Sequence, residues 1–208
     1  MVPVRGGLAG KSRLVSIEGH RLSEPDRVQL AAAMAADTVA SAVRSGCGPV
    51  SVLTADPETA VMATRLGAGV MHDGGGGLNA ALSVALARVE PGVGLAVVLG
   101  DVPAVRGVDI AAALVLGEQH GRAFVPDWEE TGTTLVAFSA DARDGVSLGF
   151  GTGSAQRHRG MGLVPVGERL DRLRCDVDTP LAWERARTLG LGPATTAARD
   201  GLLRRAPR

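Results

Sequence analysis

Apolar residues along this chain gather into two alternating kinds of segment. Short apolar or β-branched runs at Val2–Val4, Val50–Thr54, Val70–Met71, Leu95–Leu99, Ala123–Val125, Thr134–Phe138 and Leu173–Asp176 have the length and composition of strands. Between them lie alanine-rich segments of helical character, from about Glu24 to Arg44, Glu58 to Leu66, Leu78 to Arg88, Val108 to Leu116, Ser154 to Arg159 and Pro180 to Leu189. Ser23 is placed to cap the first helix, with Pro25 tolerated in its opening turn. The run Leu95–Leu99 is apolar on both faces, as a central strand of a covered sheet must be. This alternation predicts an α/β fold, with a mostly parallel central sheet carrying helices on both sides. One domain over residues 1–208 is expected, with the Ala-, Thr-, Gly- and Arg-rich tail from about Gly192 loosely ordered.

Composition narrows the function classes. The 208 residues are 45% hydrophobic and carry 22 basic against 22 acidic side chains. A balanced charge argues against a nucleic-acid or membrane-surface binder, because both need an excess of Lys and Arg. With 2% aromatics and no Tyr, base-stacking platforms are excluded as well. The Leu95–Leu99 run is too short to span a bilayer, no secretory signal pattern opens the chain, and a cytoplasmic location is expected. Cys47 and Cys175 lack metal-ligand spacing and read as reduced structural residues. Lys11 is the single lysine in a chain whose other basic residues are all Arg, which makes its survival conspicuous.

Several segments carry candidate chemistry. Gly6-Gly7-Leu8-Ala9-Gly10-Lys11-Ser12 misses the P-loop pattern by one residue, since Arg5 stands where its first Gly belongs. A glycine-rich loop bearing Lys11 and Arg13 can still surround a triphosphate with N–H groups and two cations, although an ordinary loop would have the same composition. Asp101, in Gly100-Asp101-Val102-Pro103, follows a buried strand, where ligands bind in open α/β sheets. A second acidic pair, Asp176 and Asp178, precedes Pro180; period-two spacing puts both on one face, and Asp178 or Thr179 can cap the helix that follows. Two strand-end carboxylates converging on one hard cation such as Mg²⁺ is the economical account of Asp101 and Asp176.

Two hydroxyl-and-glycine clusters, Thr131-Gly132-Thr133-Thr134 and Phe150-Gly151-Thr152-Gly153-Ser154, suit phosphate or carboxylate binding, with turns as the simpler reading. His158 reads as a surface or packing residue rather than a catalyst. Asp73 to Ala81 holds four consecutive glycines before a helix; they allow close backbone approach to a ligand, and Asn79 can read a base edge.

Taken in order, Val2-Pro3-Val4, Lys11-Ser12-Arg13-Leu14, Gly77-Leu78-Asn79-Ala80-Ala81, Gly100-Asp101-Val102-Pro103, Thr131-Gly132-Thr133, Phe150-Gly151 with Ser154 and Arg157-His158, and Asp176-Val177-Asp178-Thr179-Pro180 resemble the 2-phospho-L-lactate or phosphoenolpyruvate guanylyltransferases of deazaflavin coenzyme F(420) biosynthesis. These belong to the wider nucleotide-diphospho-sugar-transferase-like class. The resemblance implies a three-layer α/β/α Rossmann-like nucleotidyltransferase fold. It implies Mg²⁺ held by Asp101 and Asp176, GTP bound by Val4, Lys11, Arg13, Leu78 and Asn79, and a phosphorylated three-carbon acid held by Thr133, Gly151 and Ser154. Lys11, Asp101 and Asp176 are the implied catalytic residues, and the implied product passes to a downstream transferase, with a homo-oligomer allowed. This chain departs from the family pattern in having Arg5 where Lys is usual, and in a first strand that begins almost at Met1.

The implied reaction accounts for the missing Ser-His-Asp or Cys-His nucleophile, since an anionic substrate phosphate attacks the α-phosphorus of GTP directly. Phosphoenolpyruvate is the favoured acceptor over 2-phospho-L-lactate. A molybdenum-cofactor nucleotidyltransferase, or an inactive nucleotide-binding regulator, are the competing readings.

Overall fold

The computed structural model describes residues 1–4, 13–143, 145 and 147–205. Its elements are β1 (Val2–Pro3), β2 (Ser16–Ile17), β3 (His20–Arg21), α1 (Glu24–Arg44), β4 (Ser51–Thr54), α2 (Pro57–Arg65), β5 (Gly69–His72), α3 (Leu78–Leu86), β6 (Leu95–Val98), α4 (Gly107–His120), β7 (Arg122–Pro126), β8 (Thr133–Phe138), α5 (Ser154–Gly160), β9 (Val164–Pro165), α6 (Pro180–Leu189) and α7 (Pro193–Arg205). Ser23 caps α1 through a reciprocal box with Asp26, and Asp56 caps α2.

The ladders β5–β4–β1 are parallel, and β6–β8–β7–β9 form the second ladder set. Met1 joins the two: its amine donates to the Ala96 carbonyl, and its carbonyl accepts from the Val98 N–H at 3.0 Å. The strand order is therefore β5-β4-β1-β6-β8-β7-β9. Among the described strands of this order β8 alone runs against its neighbours, pairing antiparallel with both β6 and β7.

Period-two alternation sorts the strand residues between two apolar layers. Val52, Val98, Ala123, Val125, Leu135 and Ala137 pack against α1, α2 and α4. Leu53, Val97, Phe124, Val136 and Phe138 face the other way, against α3 and α5. A third cluster joins the β2–β3 hairpin, α1, α6 and α7 through Leu14, Ile17, Leu30, Met34, Val177, Trp183 and Leu202. Cys175 is buried there, its thiol pushed up to about 12 chiefly by burial, whereas Cys47 is exposed. Among the described residues no helix is long and apolar enough to cross a membrane.

Two expectations are corrected. Over its described residues the tail beyond Gly192 is the helix α7 (Pro193–Arg205), not a loose end. Its Leu202 and Ala198 are buried, and the buried carboxylate of Asp37 on α1 accepts the N–H groups of Ala194 and Thr195 at 3.0 and 2.7 Å. A side chain at Gly192 would overlap that carboxylate. A polar composition concealed this because the cap comes from 157 residues upstream. The second correction concerns Leu173–Asp176, which pairs with no strand. Its amides turn back to Leu170 and its Arg174 carbonyl accepts from Trp128, while Leu173, Cys175 and Val177 alternate inward as a strand's residues would.

Candidate active site

Asp101 lies just beyond the carboxyl end of β6, at the sheet edge where open α/β folds bind ligands. The segment carrying Asp176 and Asp178 is laid against it, for the Val177 N–H donates to the Asp101 carbonyl at 2.9 Å. With Val177 turned into the core, the two flanking carboxylates emerge together on the side of Asp101. One oxygen from each of Asp101, Asp176 and Asp178 lies within 4.8 Å of the other two, and all three residues are half-buried. The segment is braced from behind, where Arg172 forks onto the Asp109 carboxylate at 3.0 and 3.3 Å.

The donor set suits a hard cation. An octahedral Mg²⁺ has oxygens at about 2.0–2.1 Å, hence roughly 3 Å apart at adjacent corners and 4 Å at opposite ones. Three carboxylates gathered within 4.8 Å, with substrate oxygens and water to complete a shell, suit Mg²⁺ better than a softer metal. Asp178 also accepts a salt bridge from Arg13 at 2.9 Å; with Arg13 largely exposed, that pair contributes little to stability. The open choice at the head of α6 falls to Thr179, whose hydroxyl accepts from the Ala182 N–H at 3.2 Å, so Asp178 is not the cap.

Reversal of β8 sets the second half of the site beside the first. Because β8 runs against β6, its first residue, Thr133, lies at the carboxyl edge, where the Leu99 N–H donates to the Thr134 carbonyl at 2.9 Å. The turn that delivers Thr133 is shaped by Asp127, whose carboxylate accepts the N–H groups of Thr131 and Gly132 at 2.9 and 2.8 Å. Residue 132 must be glycine, since a methyl group there would overlap the Asp127 carboxylate. The two hydroxyl clusters then meet: the Ala155 N–H donates to the Thr131 carbonyl, Ser154 to that of Gly151, and Thr133 Oγ1 is 2.9 Å from His158 Nδ1. Thr133 and Ser154 are buried and Gly151 is exposed, with φ of 108°.

The loop before Gly151 is held by side chains. His158 Nε2 accepts the Gly149 N–H at 3.1 Å, and Arg157 Nε donates to the Gly149 carbonyl at 2.9 Å. Asn79, near the start of α3, clamps Phe150 from both sides, accepting its N–H at 2.9 Å and donating to its carbonyl at 3.1 Å. The Asn79 amide is thus engaged with the Phe150 loop, and Leu78 packs half-buried against the α3–α5 layer. Val4 is buried, with its N–H given to the Leu53 carbonyl at 2.9 Å. Lys11 lies outside the described residues.

His158 is fully buried, not a surface residue, and hydrogen-bonded at both ring nitrogens between the rings of Phe124 and Phe150. Burial, aided by the nearby Arg157, lowers its pKa to about 4, so the ring is neutral at physiological pH. Two contributors escaped sequence reading, Asp127 as turn-former and His158 as partner of Thr133, while Asp178, placed on the face of Asp176 by its spacing, joins the carboxylate set. For Asp127 a signal existed, because Asp127-Trp128-Glu129-Glu130-Thr131-Gly132 is a polar Asp/Gly turn between two β runs.

Comparison with known proteins agrees with this architecture. Residues 27–160 match the family model of the MobA-like NTP transferase domain. The chain is 41% identical over 207 residues to the phosphoenolpyruvate guanylyltransferase of Geodermatophilus obscurus, covering 98% of this chain and 94% of that one. It is 40% identical over 209 residues to the enzyme of the same name from Streptomyces avermitilis, with the same coverage of 98% and 94%. A crystal structure from Desulfovibrio desulfuricans, assigned as a nucleotide-diphospho-sugar transferase, shares the fold with a TM-score of 0.66 at 17% identity, over 98% of this chain and 95% of that one. Likeness at this level along nearly the whole chain means that it belongs to the phosphoenolpyruvate guanylyltransferase family of MobA-like nucleotidyltransferases.

Proposed function

We infer that this protein transfers GMP from GTP to phosphoenolpyruvate and releases pyrophosphate. The observation that carries the reading is the gathering of Asp101, Asp176 and Asp178 at the sheet edge where β8 begins with the buried Thr133. A phosphate oxygen of phosphoenolpyruvate forms a bond to the α-phosphorus of GTP, and the bond from that phosphorus to the bridging β-phosphate oxygen breaks. No proton has to move, so no general base is required. His158 supports this economy, being neutral, buried and committed at both nitrogens.

Asp101, Asp176 and Asp178 are the residues to hold Mg²⁺, which when bound offsets charge on the phosphates and on the departing pyrophosphate. Thr133, Ser154 and the Gly151 backbone bind and orient the acid on the other side. Lys11, Arg13, Val4 and the backbone at Leu78–Asn79 form the GTP side, with Lys11 and Arg13 supplying positive charge; the Asn79 side chain holds Phe150 instead of reading a base edge. Catalysis is then positioning plus electrostatic stabilisation. On this reading the protein is cytoplasmic, and its product passes to a downstream transferase of coenzyme F(420) biosynthesis.

A molybdenum-cofactor nucleotidyl transfer is the second reading, favoured only by the MobA-like domain match over residues 27–160. It leaves the Thr133, Gly151 and Ser154 subsite without a role. Pyrophosphate release with GTP and Mg²⁺ separates the two when phosphoenolpyruvate, 2-phospho-L-lactate and molybdopterin are offered in turn. Release with phosphoenolpyruvate is expected. Release with molybdopterin alone would overturn the assignment.

A further inference from the structure

Burial and pairing of His158 bear on how the acceptor is recognised, granted the reading above that Thr133 holds the phosphorylated acid. A ring nitrogen that accepts a hydrogen bond cannot carry a proton. The Gly149 N–H points at Nε2 from 3.1 Å, so in the neutral ring the proton resides on Nδ1. Nδ1 must then donate to the Thr133 hydroxyl 2.9 Å away, and Oγ1 is the acceptor of that bond. The hydroxyl keeps its own proton for another partner. Among the described residues no acceptor is in place for it, although Thr133 is buried at the edge of the site. A buried hydroxyl whose proton has no protein acceptor is arranged to donate to a ligand, and an anionic oxygen is the strongest acceptor available.

The same ring braces the loop on the other side of that ligand. Gly149 is two residues before Gly151, and His158 Nε2 shares control of its peptide with Arg157. The Phe124 and Phe150 rings pack on the imidazole at centroid distances of 5.6 and 5.3 Å and keep it from turning over. A flipped ring would set a carbon against the Gly149 N–H, and a protonated ring would set a donor there.

We propose that His158 is a positioning residue for the acceptor: by donating from Nδ1 to Thr133 it directs the threonine hydroxyl proton onto an anionic oxygen of the phosphorylated acid. The low pKa of the ring agrees with this, because only the neutral ring holds both bonds.

A double-mutant cycle on the whole protein tests it, with steady-state KM values for phosphoenolpyruvate and for GTP. Thr133→Val removes the donor and is expected to raise the phosphoenolpyruvate KM by about tenfold or more while sparing the GTP KM. His158→Gln keeps an acceptor near the Nε2 position but takes the donor from Thr133. It should raise the same KM and add little in the Thr133→Val background. His158→Asn, which restores a donor near Nδ1, should recover most of the loss. Additive effects, or a His158→Gln protein with unchanged phosphoenolpyruvate KM, would overturn the proposal. An unchanged KM in Thr133→Val alone would instead remove Thr133 from the acceptor site, which is a failure of the earlier reading. Nitrogen NMR of the unsubstituted protein needs no variant to fold, and a proton found on Nε2 of His158 would also overturn the proposal.

Discussion

The backbone N–H of Val177 donates to the carbonyl of Asp101 at 2.9 Å, across 76 positions of sequence, and that bond aligns two acidic loops into one site. It brings both carboxylates of the 176–178 pair to the side on which Asp101 lies. The same segment is laced to the acceptor side, since Arg174 donates to the Asp127 carbonyl at 3.0 Å and accepts from the Trp128 N–H at 2.9 Å. The carboxylate cluster and the turn that delivers Thr133 are thereby built on a shared support.

Asp178 and its neighbour Thr179 should separate cleanly. Asp101→Asn and Asp176→Asn are expected to abolish pyrophosphate release with the fold intact, and Asp178→Asn to raise the Mg²⁺ concentration needed for half-maximal rate. Thr179→Ala should leave kinetics alone and cost about 1 kcal/mol of stability by removing the α6 cap. Magnesium titrations beside thermal melts distinguish them, and an Asp178→Asn protein that is merely less stable would take Asp178 out of the metal set.

Asp127 and Gly132 set the position of Thr133 without facing the ligand themselves. Gly132→Ala forces its methyl group onto the Asp127 carboxylate and should displace the start of β8. Asp127→Asn keeps the shape but weakens two charge-assisted bonds, by about 1.5–3 kcal/mol each at most. Both are expected to raise the phosphoenolpyruvate KM more than the GTP KM. An equal rise in both would indicate general loosening of the sheet edge.

Burial of His158 predicts a stability slope in acid. Its pKa is about 4 in the fold against 6.5 for the unperturbed ring, so between those values the unfolded chain binds the extra proton. Stability from this group is therefore complete above pH 6.5 and is lost as pH falls toward 4, by on the order of 3 kcal/mol. Urea denaturation across that window should show a steeper decline for the natural protein than for His158→Gln. Parallel curves would mean that the ring titrates normally.

Lys11, the chain's single lysine, offers a direct test of the GTP side. If its compact ammonium meets the triphosphate, Lys11→Arg should impair turnover although charge is conserved, because the planar guanidinium needs a wider approach. Lys11→Ala should act mainly on kcat if the contact is made in the transition state, and mainly on the GTP KM if it is already made in the ground state. Unchanged kinetics in both variants would make Lys11 a bystander.

Local pattern along the chain accounts for the α/β class, most element positions and the candidate carboxylates Asp101 and Asp176. Those features rest on local periodicity, on capping residues such as Ser23, and on the tendency of ligands to gather at carboxyl strand ends. Helices α1 and α6 begin and end where their caps, prolines and apolar spacing require. Tertiary structure alone decided three further matters. Strand direction is invisible to alternation, because a parallel and an antiparallel strand bury the same faces; only the reversal of β8 sets Thr133 beside Asp101. The partners of Asp37, Asp178 and His158 are other polar groups distant in sequence, and hydrogen bonds across such separations leave no local period. The order of the tail followed the same rule, for a polar helix that looks loose in isolation is held by a carboxylate on α1 and by the burial of Leu202.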